Sequence, residues 1–213
     1  MTAHVADFCR DPRFQVSYNR GKATGSWDST DLRWRVYVAC WAAERALSLD
    51  GDFVECGVNR GGMSLSVMDY VGFKNIDKTF FLLDTYCGFP KHLRHLAAVA
   101  NRNGYEECYE AVVRTFADFR NVNIIRGSIP ETLNQVKADR VCYLSLDMNC
   151  AEPEIAAMRY FWTKLVPGAI VLLDDYAFSE SYRRQKNAFD ALCRELNFNI
   201  LSLPTGQGLI CKV

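Results

Sequence analysis

The sequence is poor in histidine: only His4, His92 and His95 occur in 213 residues, which leaves little basis for an imidazole-built zinc site. None of the nine cysteines (Cys9, Cys40, Cys56, Cys87, Cys108, Cys142, Cys150, Cys193 and Cys211) forms a CxxC pair. Such an odd, scattered set reads as free thiols packed as small hydrophobes in a reducing compartment. Net charge is missing too, since 25 lysines and arginines balance 25 aspartates and glutamates. That balance argues against a nucleic-acid partner held by bulk electrostatics. The N-terminal "MTAHVADFCRDPRF" lacks a basic-then-apolar layout, and no stretch is long and apolar enough to span a membrane. The expectation is a cytoplasmic protein with no membrane partner.

What is present is an alternation of short apolar runs and helical patterns. Residues 1–30 read as irregular, with Pro12, Gly21 and Gly25 as breakers. "DSTDLRWRVYVACWAAERALSL" then puts Trp34, Tyr37, Val38, Trp41 and Ala42 on one helical face, fit to cover a sheet edge, line a pocket or form a dimer surface. From residue 51, "GDFVECG", "KTFFLLD", "NVNIIRG", "RVCYLSLD" and "GAIVLLDD" read as strands, several apolar on both faces as in parallel sheets covered by helices. "GGMSLSVMDYVG", "PKHLRHLAAVANRNG", "EECYEAVVRTFADF", "PETLNQV", "EPEIAAMRYFWTKL" and "SYRRQKNAFDALCRELN" read as the intervening helices. "FNILSLP" and "GLICKV" close the chain as strands joined by "TGQG", too short for a helical crossover, so an antiparallel hairpin is expected at one edge. The fold class is therefore α/β, one doubly wound, mostly parallel sheet over 51–213. Residues 1–50 form an N-terminal segment and helix that pack on it or on a partner subunit.

The first strand-to-helix junction, "VECGVNRGG", carries Glu55, Gly57, Asn59, Arg60, Gly61 and Gly62. Glycines there bend the chain tightly and bring backbone N–H groups against a ligand at the next helix start. Asp84, with Thr85 after it, ends "FFLLD" where nucleotide sites carry an acid for ribose hydroxyls. Glu55 would repel a pyrophosphate but suits the cationic ammonium of S-adenosylmethionine. Gly127 and Ser128, after the third strand, are placed to border an adenine ring, although they also make an ordinary helix cap.

Asp147 and Asp174 close what read as neighbouring strands, with Asp175 next in line. Charges about 4 Å apart repel by about 4 kcal/mol at an effective dielectric near 20, so compensation is required. A bound proton, an arginine or lysine, a helix N-terminus or a hard cation would each supply it; Mg2+ (or Mn2+) suits the oxygen donors, with Asn149 offering a further carbonyl. A hydroxyl acceptor near such a cation loses its proton readily and can displace a sulfonium methyl. His92 is the candidate base, with His95 and Lys91 as alternatives. Tyr86, Phe89 and Tyr176 are the candidate aromatic contacts to an acceptor.

"ECGVNRGG", "LLDTYCGFP", "GSIPETL", "LSLDMN" and "VPGAIVLLDDY", in that order from residue 51 to 213, resemble the motifs of the TylF/MycF-type (macrocin) O-methyltransferases. The resemblance implies a seven-stranded class I methyltransferase sheet and S-adenosylmethionine held by Glu55, Gly57, Asp84 and Ser128. It further implies Mg2+ at Asp147, Asp174 and Asp175, a sugar or other natural-product hydroxyl as acceptor, and a homo-oligomer, dimer or larger, formed through N-terminal helices. Two departures stand out. Asn149 occupies a place where that family frequently has an acid, and "DDYAFSESYRRQ" lacks the Gly-His of relatives that share the "LDMN" wording. An NAD-linked oxidoreductase and a cofactor-binding protein without catalysis are the rival readings.

Overall fold

The computed structural model describes residues 4–27, 29–96 and 105–213. Helices α1 (Pro12–Ala23) and α2 (Arg33–Ala46) precede a sheet of seven strands. These are β1 (Asp52–Cys56), β2 (Phe80–Asp84), β3 (Val122–Arg126), β4 (Val141–Leu146), β5 (Leu165–Leu173), β6 (Leu201–Ser202) and β7 (Gly208–Cys211). Helices α3 (Gly62–Val71), α4 (Tyr109–Phe116), α5 (Ala151–Trp162) and α6 (Arg183–Leu196) follow β1, β2, β4 and β5. The strand order is β3-β2-β1-β4-β5-β7-β6. The first five strands run parallel, while β7 is antiparallel to both β5 and β6. Every residue of β4 is buried, as continuous apolar composition in a helix-covered parallel strand requires.

Three sequence expectations change. Residues 12–23, expected to be irregular, form α1. Pro12 takes the first helical turn, where its missing N–H costs nothing, and the Asp11 carboxylate caps the turn by accepting from the Arg13 N–H at 2.8 Å. Gly21 breaks nothing; it sits where α1 crosses α3, and a Cβ there would collide with Ser66 Oγ and the Gly62 carbonyl. In α2 the core-facing side is the small-residue side, with Val36, Ala39, Cys40 and Ala43 fully buried, while Trp41 of the aromatic stripe is 41% exposed. Small side chains let α2 lie close against α3, β4 and β5. Residues 91–96 of the expected helix after "GFP" form turns instead, and the rest of that helix lies outside the described residues. The closing strands form the expected antiparallel hairpin at one edge, with β7 against β5 and the outermost β6, paired on one side only, limited to two residues.

The sheet sets up the site directly. From β1 the chain winds toward β2 and β3, and from β4 toward β5, so a crevice opens at the carboxyl ends of β1 and β4. Ladder bonding continues one residue past those ends: Asp147 N–H donates to the Cys56 carbonyl at 2.9 Å and Asp174 N–H to that of Leu146 at 3.0 Å. On the other flank Gly57 N–H donates to Leu83 at 2.8 Å and Gly127 N–H to Asp84 at 2.9 Å. Sheet register, rather than loop conformation, fixes where these residues stand.

Candidate active site

One cavity at the carboxyl ends of the strands collects Glu55, Gly57, Asn59, Asp84, Thr85, Gly127, Ser128 and Asp147. The glycine turn between β1 and α3 is pinned from β2: Asp84 Oδ2 accepts from the backbone N–H groups of Val58 (2.7 Å) and Asn59 (2.8 Å). Its Oδ1 accepts from the Tyr86 N–H at 2.7 Å. Asp84 thus shapes the turn as well as facing the cavity. Gly57 has φ of +90°, and any side chain there would overlap the Asp147 carbonyl. The absence of a side chain therefore lets the turn lie directly against the end of β4.

Glu55 is 2% exposed and accepts from the Ser64 hydroxyl of α3. Burial pushes its carboxyl up to about 8; the Ser64 bond opposes the rise, and Asp174 and Asp84 add to it. A cationic group entering the cavity would recover the charged form and pair with it.

Oxygens of Asp147, Asp174 and Asp175 lie within 4.8 Å of one another. Burial, followed by the two neighbouring acids, pushes the Asp147 carboxyl well above the ordinary carboxylate range. Burial and Asp174 likewise raise Asp175 to about 6 against the opposing pull of Arg35. Arg35, from α2, is the partner that sequence reasoning missed. Its Nη2 lies 2.6 Å from Asp174 Oδ2 and 2.7 Å from Asp175 Oδ1, and it also donates to the Asp174 carbonyl. Gln207 Nε2 donates to the other Asp174 oxygen at 2.8 Å. The signal that marks Arg35 is a lone charge on the small-residue face of α2, at helical spacing from Ala39, Ala42 and Ala46. The Asn149 side-chain carbonyl, expected as a further oxygen donor to a cation, accepts from the Tyr182 hydroxyl at 2.8 Å, and its amide donates to Asp147 Oδ1 at 3.2 Å.

Several expected residues stand elsewhere. His92 is exposed in the turns that follow "GFP" and does not line the cavity, whereas neighbouring Leu93 does. Tyr176 is also outside the lining: its hydroxyl donates to Asp190 and accepts from Lys186, which ties it to α6. Arg60 pairs with Glu106 at 3.1 Å at the surface, and Gly61 sits under the Phe116 ring; neither lines the cavity. Tyr86 does line it, but its hydroxyl is spent on the Leu82 carbonyl at 3.0 Å. Phe89 forms a wall, edge-on to Tyr105 with ring centres 5.6 Å apart. The N-terminal segment contributes Ser26, Trp27 and Leu32, which composition alone did not mark as functional. Ser26 Oγ accepts from the Gly62 N–H at 2.8 Å and so caps the start of α3.

A mostly parallel sheet with antiparallel closing strands, a pinned glycine turn and an acid after β2 together define a class I methyltransferase. The model of the macrocin-O-methyltransferase (TylF) family matches residues 33–200, and the chain belongs to that family. It is an S-adenosylmethionine-dependent O-methyltransferase. The O-methyltransferase NovP superposes with a TM-score of 0.74 at 21% identity, over 94% of this chain and 88% of that one. CalS11, a calicheamicin methyltransferase, gives 0.67 at 13% identity, over 99% and 98%. The methyltransferase PaMTH1 of Podospora anserina, solved with S-adenosylhomocysteine bound, gives 0.59 at 14%, over 93% and 87%. No curated protein sequence matches this chain.

Proposed function

We propose that the enzyme methylates a hydroxyl of a small molecule, a sugar or another natural product, with Mg2+ (or Mn2+) assisting. The observation that carries this reading is that the acid triad and the turn pinned by Asp84 open into one cavity and meet at Asp147 and Gly57. The triad fits a hard divalent ion, because it offers oxygen donors only and a single guanidinium leaves three carboxylates under-neutralised. Asp147, Asp174 and Asp175 would hold the ion; when bound, it lowers the pKa of an acceptor hydroxyl and neutralises local charge.

The remaining roles fall to the chain itself. Glu55 pairs with the ammonium of S-adenosylmethionine, Asp84 holds its ribose beside the turn it pins, and Gly127 and Ser128 border the adenine. Phe89 and Tyr105 wall the acceptor side and exclude water. Asp147, between the cofactor turn and the acid pair, orients the reacting hydroxyl toward the sulfonium methyl. The acceptor class draws support from the family's description as macrocin O-methyltransferases and from CalS11, a TDP-rhamnose 3'-O-methyltransferase of calicheamicin biosynthesis.

A cytoplasmic homo-oligomer is part of the same proposal. No helix among the described residues is long and apolar enough to cross a membrane. All nine cysteines are free thiols, and Trp41 of α2 is exposed. Incubating the protein with S-adenosylmethionine, Mg2+ and panels of glycosides, phenols and polyketide alcohols, with mass spectrometry following the gain of one CH2, tests the assignment. Methylated alcohols are expected, and products methylated only on nitrogen or carbon would contradict it.

A further inference from the structure

The guanidinium of Arg35 occupies the same oxygens that a divalent ion would use. Arg35 is 8% exposed and reaches from α2 to the end of β5, where Nη2 bridges Asp174 Oδ2 and Asp175 Oδ1 and also meets the Asp174 carbonyl. With Gln207 on Oδ1, both Asp174 carboxylate oxygens already have protein partners. The seat is nevertheless imperfect. Arg35 Nε is buried with no hydrogen-bond partner among the described residues, and one side of the guanidinium rests on the Phe178 ring, 4.6 Å from its centre. A fully paired arginine would be a permanent structural strut; one that leaves a buried donor unmade is held less firmly.

We propose that Arg35 is an internal counter-cation that competes with the divalent ion for Asp174 and Asp175, so that metal binding requires its displacement. The inference rests on the reading of the triad as a metal site and adds what sets its affinity. With Arg35 seated, the acid pair keeps a counter-charge and the fold stands without metal. The site is then competent for metal only in the fraction of molecules whose arginine has left, and the apparent affinity falls by that fraction. Arg35 is a positioning residue in this scheme; it acts on the carboxylates and makes no contact with the reacting atoms.

Mn2+ titration followed by electron paramagnetic resonance of the free ion tests this on the wild type, Arg35→Met and Arg35→Lys. Arg35→Met is expected to bind Mn2+ at least about tenfold more tightly, about 1.4 kcal/mol. Arg35→Lys, which keeps the charge but lacks the planar fork, should fall between the two. Melting in EDTA supplies a second readout. Wild type is expected to gain only a small rise in melting temperature from Mn2+, whereas Arg35→Met melts lower in EDTA and gains a larger rise from the ion. If Arg35→Met folds only with Mn2+ present, that itself supports the proposal, and Arg35→Lys carries the affinity measurement. Equal or weaker Mn2+ binding in the variants overturns the competition while leaving the metal site standing. Absence of Mn2+ binding in all three proteins overturns both.

Discussion

The carboxylate of Asp84, at the end of β2, accepts the backbone N–H of Asn59 at 2.8 Å in the turn that follows β1. A second bond, from Val58 at 2.7 Å, makes the grip two-pronged. Charge-assisted bonds of this kind are among the stronger ones in proteins, so Asp84→Ala should destabilise the fold by about 2 kcal/mol. It should also weaken S-adenosylhomocysteine binding at least about tenfold, about 1.4 kcal/mol, because turn and ribose contacts are lost together. Urea melts and calorimetry on the same samples check both effects.

Glu55 makes cofactor binding and stability depend on pH. Burial raises its folded pKa to about 8, above the ordinary glutamate value. For an acid raised in this way, the stabilising contribution is complete below about pH 4.5 and is lost as pH rises through about 8. Glu55→Gln should therefore show a shallower fall in melting temperature over that window. Binding of a cationic ammonium needs the carboxylate, so at pH 7 wild type should release a proton on binding S-adenosylmethionine. Calorimetry in buffers of different ionisation enthalpy reads this release, which Glu55→Gln should lack.

Gly21 permits α1 to lie on α3. A methyl group there meets Ser66 Oγ and the Gly62 carbonyl, the first of which can move and the second of which cannot. Gly21→Ala should cost about 1–3 kcal/mol, as overpacking does. Adding Ser66→Ala should recover only part of the loss in thermal melts.

His92 is exposed and outside the cavity lining. Loss of a working general base costs about 100-fold or more, whereas His92→Ala should leave kcat within about twofold of wild type. Initial rates from pH 6 to pH 9 decide the matter.

The strands were legible because their apolar runs end in glycine or aspartate, and "LSLDMN" and "VLLDDY" marked the acids that the sheet brings together at β4 and β5. Arg35 was not legible as a site residue, since its two acidic partners, Asp174 and Asp175, lie 139 and 140 positions away and only the packing of α2 on β5 unites them. Helix α1 was hidden for a related reason: Gly21 reads as a breaker until α3 is laid against it. Aromatic side chains misled in both directions. Tyr176 is held by Asp190 and turned from the cavity, and the Trp34 to Trp41 stripe lies beside the buried face rather than on it.

The most direct measurement is transfer of a labelled methyl group from S-adenosylmethionine to a hydroxylated acceptor, run with Mg2+, with EDTA, and with EDTA followed by excess Mg2+. Loss of transfer in EDTA, recovery with added ion, and no transfer by Asp147→Asn or Asp174→Asn are the results expected. Undiminished turnover in EDTA, or in either variant, would contradict a cation-assisted reaction at these acids.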